Sequence, residues 1–322
     1  MLSPDGELTI VVVPREKYSR AGAVFTALVD ADMPPFRLVW VDEARAPRAH
    51  RRRMEQLASR PGVDHLVLPH RAGANECRMR GFESSRTPFV LFLDNDAFLG
   101  PGAAAAMIEC MRATSASFVS PLILDVHGGV HHAGGATAIV AGGRGPCLVE
   151  TLPHQGAPSA AVRHQLARAP ASALEMHGVL VRSASLLTAG GLDTQLMSSL
   201  DCADLGLRLQ GRDGSGWFEP GATVTYDSSR PRPSDLPLYL GRWSSATVEH
   251  DISRFAATWD LDVHDARLDE HRGFLHSRCM RVLPKVHGGV RRVLGPSAVK
   301  WLDRVVDPVF DVFSDARLPA GR

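Results

Sequence analysis

Thr87-Pro88-Phe89-Val90-Leu91-Phe92-Leu93-Asp94-Asn95-Asp96 is the stretch on which the fold turns. An unbroken apolar run from 89 to 93 follows a proline and stops at three polar residues, the pattern of a strand buried on both faces. Two runs upstream repeat it. Residues 8–13 stop at Pro14-Arg15-Glu16, and residues 36–41 stop at Asp42-Glu43. Residues 21–29 between them have helix composition, which makes a strand–helix–strand unit of the expected length. Residues 48–59 and 75–84 read as further helices and 65–68 as a third strand. Gly100-Pro101-Gly102 opens another helix at 103–111. This alternation predicts an α/β fold with a doubly wound, mostly parallel sheet. Ligands of such sheets lie at the carboxyl ends of the strands, so the acids at 16, 42–43, 94 and 96 are expected on one edge.

Asp94-Asn95-Asp96 offers two hard oxygen ligands one residue apart, the donor type that Mg2+ or Mn2+ takes. Asp and Asn are also favoured turn residues, so the spacing alone carries little. From Ser120 to Ala173 the pattern weakens into Gly-, Pro- and His-rich sequence, read as loops with a small antiparallel portion. Regular elements resume with a strand at 175–182, a helix at 184–189 closed by Gly190-Gly191, a helix at 201–209 and a strand at 222–225. Asp201 and Asp204 share one face of their helix, and Arg208 stands at ion-pair spacing from Asp204.

Gly73-Ala74-Asn75, Arg78 and Gly81, followed by 87–96, resemble the family 2 glycosyltransferases. Gly190-Gly191-Leu192-Asp193 and Asp201-Cys202-Ala203-Asp204-Leu205-Gly206-Leu207-Arg208 are similar to a second segment of that family, and His131-His132-Ala133-Gly134-Gly135 to a third. The resemblance spans roughly residues 8–262. It implies a GT-A fold and inverting transfer of a sugar from a nucleoside diphosphate donor with Mn2+ or Mg2+ as cofactor. It further implies that Asp96 holds the metal, that Asp94 contacts donor ribose or sugar and helps ligate, and that Arg78 lies on the donor-binding helix. Glu16 and Asp42 would meet base and ribose, and Asp201 would be the base that deprotonates the acceptor. The chain departs from the pattern at Met79, where an Asn is usual, and at Cys202, where a second acid is usual. Tyr226-Asp227 stands where many GT-A enzymes carry a late metal-binding His, so that ligand is missing or is supplied by Asp227 or by His250. The adjacent histidines 131 and 132 are expected to diverge, and the aromatic group around Trp243, Phe255 and Trp259 to pack as core.

The 322 residues, 44% hydrophobic, suffice for a large core, and no apolar run approaches the roughly 20 residues of a spanning helix. With no secretory signal pattern at the N-terminus, a cytoplasmic protein is expected. Five scattered cysteines without a C-x-x-C pair indicate reduced thiols. Residues 1–265 are expected to form the catalytic domain, with a nucleotide-sugar half to about 120 and an acceptor half to 265. Residues 266–322 carry eleven Lys or Arg against six Asp or Glu and read as a basic helical extension. Residues 281–313 suit an amphipathic helix on an anionic membrane surface, with packing on the catalytic domain or a second subunit as the alternative. The donor is expected to be a UDP-sugar before a GDP- or dTDP-sugar. The acceptor is a polysaccharide, lipid carrier or small metabolite, and nothing calls for nucleic acid. A nucleotidyltransferase, or a GT-A-like protein that only binds carbohydrate or nucleotide, is the alternative.

Overall fold

The computed structural model describes every residue except 1, 4, 5, 144, 211–215, 280, 281, 283 and 315–322. The first half alternates as expected: β1 (Leu8–Val13), α1 (Tyr18–Asp30), β2 (Phe36–Asp42), α2 (Arg48–Leu57), β3 (Val63–Val67), α3 (Ala74–Ser84), β4 (Phe89–Asp94), β5 (Ala97–Leu99) and α4 (Ala103–Thr114). Then come β6 (Phe118–Asp125), β7 (Val130–His132), β8 (Ala136–Gly142), β9 (Gly145–Thr151), α5 (Ser159–Val162), β10 (Ala169–Ala171), β11 (Gly178–Arg182), α6 (Ser183–Thr188), α7 (Asp201–Gln210) and β12 (Gly216–Tyr226). Five helices close the chain: α8 (Leu236–Trp243), α9 (Ser245–Trp259), α10 (Ala266–Cys279), α11 (Pro284–Leu294) and α12 (Pro296–Phe310).

The main sheet has the order β10-β12-β6-β11-β4-β1-β2-β3, with β5 beside β12 and β7 beside β6. Strands β4, β1, β2 and β3 are mutually parallel, and β11 enters antiparallel between β4 and β6. Alternation along the strands explains why both faces are covered. Ile10, Trp40 and Leu91 point into a core beneath α1 and α4, while Val11, Val39 and Phe92 point into one under α3, α6 and α7. A one-residue slip would exchange the two sets.

Two local differences from the sequence reading matter for the site. The stretch from Ser120, expected to be loops, begins inside β6, an inner strand parallel to β12, and its expected antiparallel portion is made by the β8–β9 hairpin, β7 against β6 and β10 against β12. Strand β11 starts at Gly178, not at 175, and Gly178 pairs with Leu93 at the end of β4. His177, the residue before β11, therefore stands beside Asp94.

Leu268 and Leu275 of α10 are buried with Tyr239, Trp243 and Phe255 of α8 and α9, so the core continues past residue 265. Beyond α10 the chain bends at Gly295, where φ is +82°, giving two helices instead of one amphipathic helix. Arg281 lies outside the described residues, as do the side chains of Lys285 and Lys300. No helix among the described residues is long and apolar enough to cross a membrane. Cys77, Cys110, Cys147 and Cys202 are free thiols.

Candidate active site

The carboxyl ends of β1 and β4 lie side by side, with Val13 in register with Asp94. The chain leaving β1 crosses toward β4, where the Arg15 backbone N–H donates to Asn95 Oδ1 at 3.1 Å. Asn95 is thus the tie between the two loops. The Arg15 guanidinium then reaches both Asp94 (Nε to Oδ2, 3.5 Å) and Asp201 (Nη1 to Oδ2, 3.0 Å). Arg78, from α3, does the same from the other side, donating to Asp94 Oδ1 and Asp201 Oδ2 at 2.8 Å each. Two guanidiniums and two carboxylates, all at least 96% buried, form a closed square. His177 Nδ1 adds a contact of 2.8 Å to Asp94 Oδ2. Burial by itself would raise the pKa of Asp94, but Arg78, the His177 hydrogen bond and Arg15 outweigh it and hold the carboxyl below its usual range.

Asp201 is delivered by a loop with its own anchor. The buried carboxylate of Asp251 on α9 accepts the backbone N–H groups of Met197, Ser198 and Ser199 at 2.8 to 2.9 Å. The start of α3 packs against the same loop, with Ala74 N–H donating to Met197 O at 3.0 Å. Position 73 needs glycine there, since a Cβ would sit 2.7 Å from Met197 Cα. Leu200, with φ +58°, makes the left-handed turn from which Asp201 enters α7. A non-glycine residue in that conformation is locally strained, and the anchored loop supports it.

Asp96 is 1% exposed, and its Oδ1 has no hydrogen-bond partner among the described residues. Burial, and then the charge of Glu16, push its pKa up to about 7. An orphaned buried carboxylate oxygen is what a cation satisfies. Asp94, Asp96 and His177 offer ligand atoms within 4.8 Å of one another, so these residues fit a divalent ion. Asp227 follows β12 and stands next to them, its backbone N–H donating to Asp96 O at 2.8 Å. Its carboxylate is engaged by Arg20 and by Lys17, whose Nζ is 3.4 Å from Asp227 Oδ1 and 3.9 Å from Asp96 Oδ2. His250, the other substitute for a late histidine, instead contacts Gln195 O at 3.0 Å. His131 lies 3.4 Å from Glu175 Oε2, while His132 turns inward to Ser120 Oγ at 2.9 Å, so the two rings diverge.

A cavity of about 360 Å³ opens beside this cluster, lined among others by Arg15, Glu16, Glu175, His177, Asp201 and Trp243. Glu16 faces it but is paired with Arg278 Nη2 at 2.8 Å. Asp42 does not reach it. Both Asp42 oxygens are taken, Oδ2 by His50 at 2.9 Å and His65 at 2.8 Å, and Oδ1 by His50 at 3.0 Å and the Trp40 indole N–H at 3.3 Å. Asp42 is a buried carboxylate, because β3 sets His65 opposite Trp40 in the register and α2 brings in His50. Met79 turns away to the Gly191-Leu192 turn, where its sulfur accepts the Leu192 N–H at 3.3 Å. Cys202 lines the cavity, with Sγ 3.5 Å from Glu175 Oε1. Asp204 and Arg208 form the expected pair at 2.7 Å, away from the cavity. Sequence reasoning gave Arg15 and Arg278 no role; Trp243 packs in the core as expected and also borders the cavity.

Residues 9–164 match the family model described as Glycosyl transferase family 2. Comparison with curated proteins gives no match. Among solved structures, that of GalNAc-T7 with UDP, GalNAc and Mn2+ is similar with a TM-score of 0.56 at 13% identity, over 98% of this chain. This chain spans 59% of that one. The mannosyltransferase PcManGT from Pyrobaculum calidifontis, in complex with GDP-Man and Mn2+, gives 0.53 at 12% identity, covering 97% of this chain and 84% of that one. The S. aureus TarS 1-349 complex with UDP-GlcNAc gives 0.52 at 12% identity, covering 95% and 83%. At these identities the likeness concerns the fold.

Proposed function

Because residues 9–164 belong to glycosyl transferase family 2, we propose that this glycosyltransferase moves a sugar from a nucleoside diphosphate donor, a UDP-sugar first, to an acceptor hydroxyl with inversion. The observation that carries the reading is the orphaned Oδ1 of Asp96 at the end of β4, beside Asp94 and His177. Asp96, with Asp94 and His177, would hold Mn2+ or Mg2+. Such an ion, when bound, offsets the negative charge that builds on the departing diphosphate.

The chain's own groups do the rest. The nucleoside lies against the loops that follow β1 and β4, with Glu16, Arg78 and Asp94 around it and Asp42 acting through His50 and His65. The acceptor oxygen attacks the anomeric carbon as the bond from that carbon to the diphosphate oxygen breaks, and the hydroxyl proton passes to a carboxylate across the donor. We assign that role to Asp201, whose Oδ1 holds its Arg15 contact loosely, at 3.4 Å. The acceptor is a polysaccharide, a lipid carrier or a small molecule bound on the side of residues 121–265.

Cys202 in place of an acid, together with the double ion pairing of Asp201, favours one second reading, a protein that binds nucleotide sugar without turning it over. Incubation with a panel of labelled UDP-, GDP- and dTDP-sugars, with Mn2+ and with EDTA, separates the two. Metal-dependent release of nucleoside diphosphate from one donor is expected. Binding without any release supports the second reading.

A further inference from the structure

Lys17 precedes α1 as its cap, a place where short polar side chains usually accept the free N–H groups of the first turn. Lys17 makes no such bond. Its side chain is turned inward and is 1% exposed. Nζ donates to Asp227 O, and it stands 3.4 Å from Asp227 Oδ1 and 3.9 Å from Asp96 Oδ2. Burying an ammonium is costly unless acidic groups surround it, so these two carboxylates account for where it lies. The backbone that carries it is fixed on both sides. The Arg20 N–H donates to Lys17 O at 3.2 Å, and two residues earlier the Arg15 N–H donates to Asn95 Oδ1 at 3.1 Å.

The carboxylates around Asp96 have cations of their own. Asp94 has Arg78 at 2.8 Å, Glu16 has Arg278 at 2.8 Å, and Asp227 has Arg20. Among the described residues, Asp96 has its ion pair with Lys17. A divalent ion on the unpartnered Oδ1 of Asp96 therefore meets like charge across a single carboxylate. A nucleoside diphosphate brings negative charge that offsets this repulsion.

We infer that Lys17 is a resident counter-cation of Asp96 and Asp227: it holds off a bare divalent ion, and it turns to the diphosphate when ion and nucleotide enter together. The inference rests on the reading that Asp96 holds a divalent ion.

Electron paramagnetic resonance, which counts free Mn2+, measures binding of the ion alone to the full chain, and titration calorimetry measures UDP with Mn2+ and with EDTA. Lys17→Gln keeps an N–H donor and removes the charge. Mn2+ alone should then bind about tenfold tighter or more, since like charges this close repel strongly even under protein screening. UDP with Mn2+ should weaken by about tenfold, the usual consequence of losing a charged hydrogen bond. A purely structural role would move both affinities the same way, so the opposite signs identify the exchange. Lys17→Arg keeps the charge and should keep Mn2+ alone near its wild-type affinity. Arg37→Gln, at the amino end of β2 with Asp64 as its partner, is the control with both affinities unchanged. Thermal melts show whether each variant is folded, and Lys17→Met carries the same expectations if the Gln variant is not. Wild-type affinity for Mn2+ alone in a folded, uncharged Lys17 variant overturns the inference and leaves the ion on Asp96. Tighter Mn2+ without weaker UDP overturns the turn to the diphosphate. UDP that binds equally well with Mn2+ and with EDTA, in wild type and variants alike, removes the ion itself and the competition with it.

Discussion

Replacing Asp201 by Asn tests the ion-pair square and the proposed base in one experiment. Arg78 and Arg15 are buried, at 0 and 4% exposure, and share Asp94 and Asp201. Asp201→Asn preserves shape and one acceptor oxygen but leaves two guanidiniums on Asp94 alone. Breaking a buried pair by removing one partner costs about 3–5 kcal/mol, and the retained oxygen argues for the lower end, about 3 kcal/mol. At about 2 °C per kcal/mol for chains of this size, the melting temperature should fall by about 6 °C. Adding Arg15→Gln removes the surplus cation, so the double variant should recover more than half of that loss, a non-additivity expected for charges in contact. Turnover is the second assay. If Asp201 receives the acceptor's proton, release of nucleoside diphosphate should drop by about 10² to 10⁴ in Asp201→Asn. It should stay low in the double variant, below the level of Arg15→Gln alone. A melting temperature equal to wild type would refute the charge balance drawn for the square. Near wild-type turnover in Asp201→Asn would refute the base.

Three further outcomes follow from the same geometry. Asp96→Ala should abolish the Mn2+ dependence of UDP binding measured by titration calorimetry, and equal UDP affinity with Mn2+ and EDTA in the wild type would remove the metal from the reading. Burial lowers the pKa of His132 to about 4. Its folded value lies below its unfolded value of about 6.5, so its contribution is present above pH 6.5 and is lost as pH falls toward 4, by about 3 kcal/mol. His132→Gln should flatten that part of a stability–pH curve from denaturant melts, and an unchanged slope would exclude His132 as its source. Finally, Val293, Leu294, Trp301, Val305 and Val309 on α11 and α12 are half or more exposed, near Arg291, Arg292 and Arg304. We propose contact with an anionic bilayer, so truncation after 280 should reduce co-sedimentation with phosphatidylserine vesicles; equal sedimentation of both forms counts against it.

Much of the frame was legible because β1, β2 and β4 are largely apolar runs that end at polar groups, and in parallel strands those ends share an edge, whereas Ser120 and Pro121 hid β6. Asp94 and Asp96 end one such run, whereas Asp201 was expected beside them only from the resemblance of residues 201–208 to a family segment. The electrostatics of the site were not legible, because they depend on partners far apart in sequence. Asp42 looks like any strand-end acid until His50 and His65 arrive from two other elements. Arg278 reads as one of many basic residues in a tail until it is found on Trp243 and Glu16.

Asp227 shows the limit most clearly, and it bears on what holds the metal. A late acid after a strand could be read as a substitute for a histidine ligand, and β12 does bring it to Asp96: Tyr226 pairs with Ala97, and the next backbone N–H reaches Asp96 O. Proximity alone would make it the third ligand. Its carboxylate, however, already faces Lys17 and Arg20, and a cation approaching it meets two positive charges within ion-pair range. His177 is differently placed. Its ring lies stacked on Tyr226, with centroids 4.4 Å apart, and its ligand atom falls within the same 4.8 Å group as those of Asp94 and Asp96. Lys17 also stands 3.9 Å from Asp96 Oδ2, and Asp94 carries Arg15 and Arg78, so positive charge does not separate the candidates; the oxygen left without a partner among the described residues does, and it is Oδ1 of Asp96.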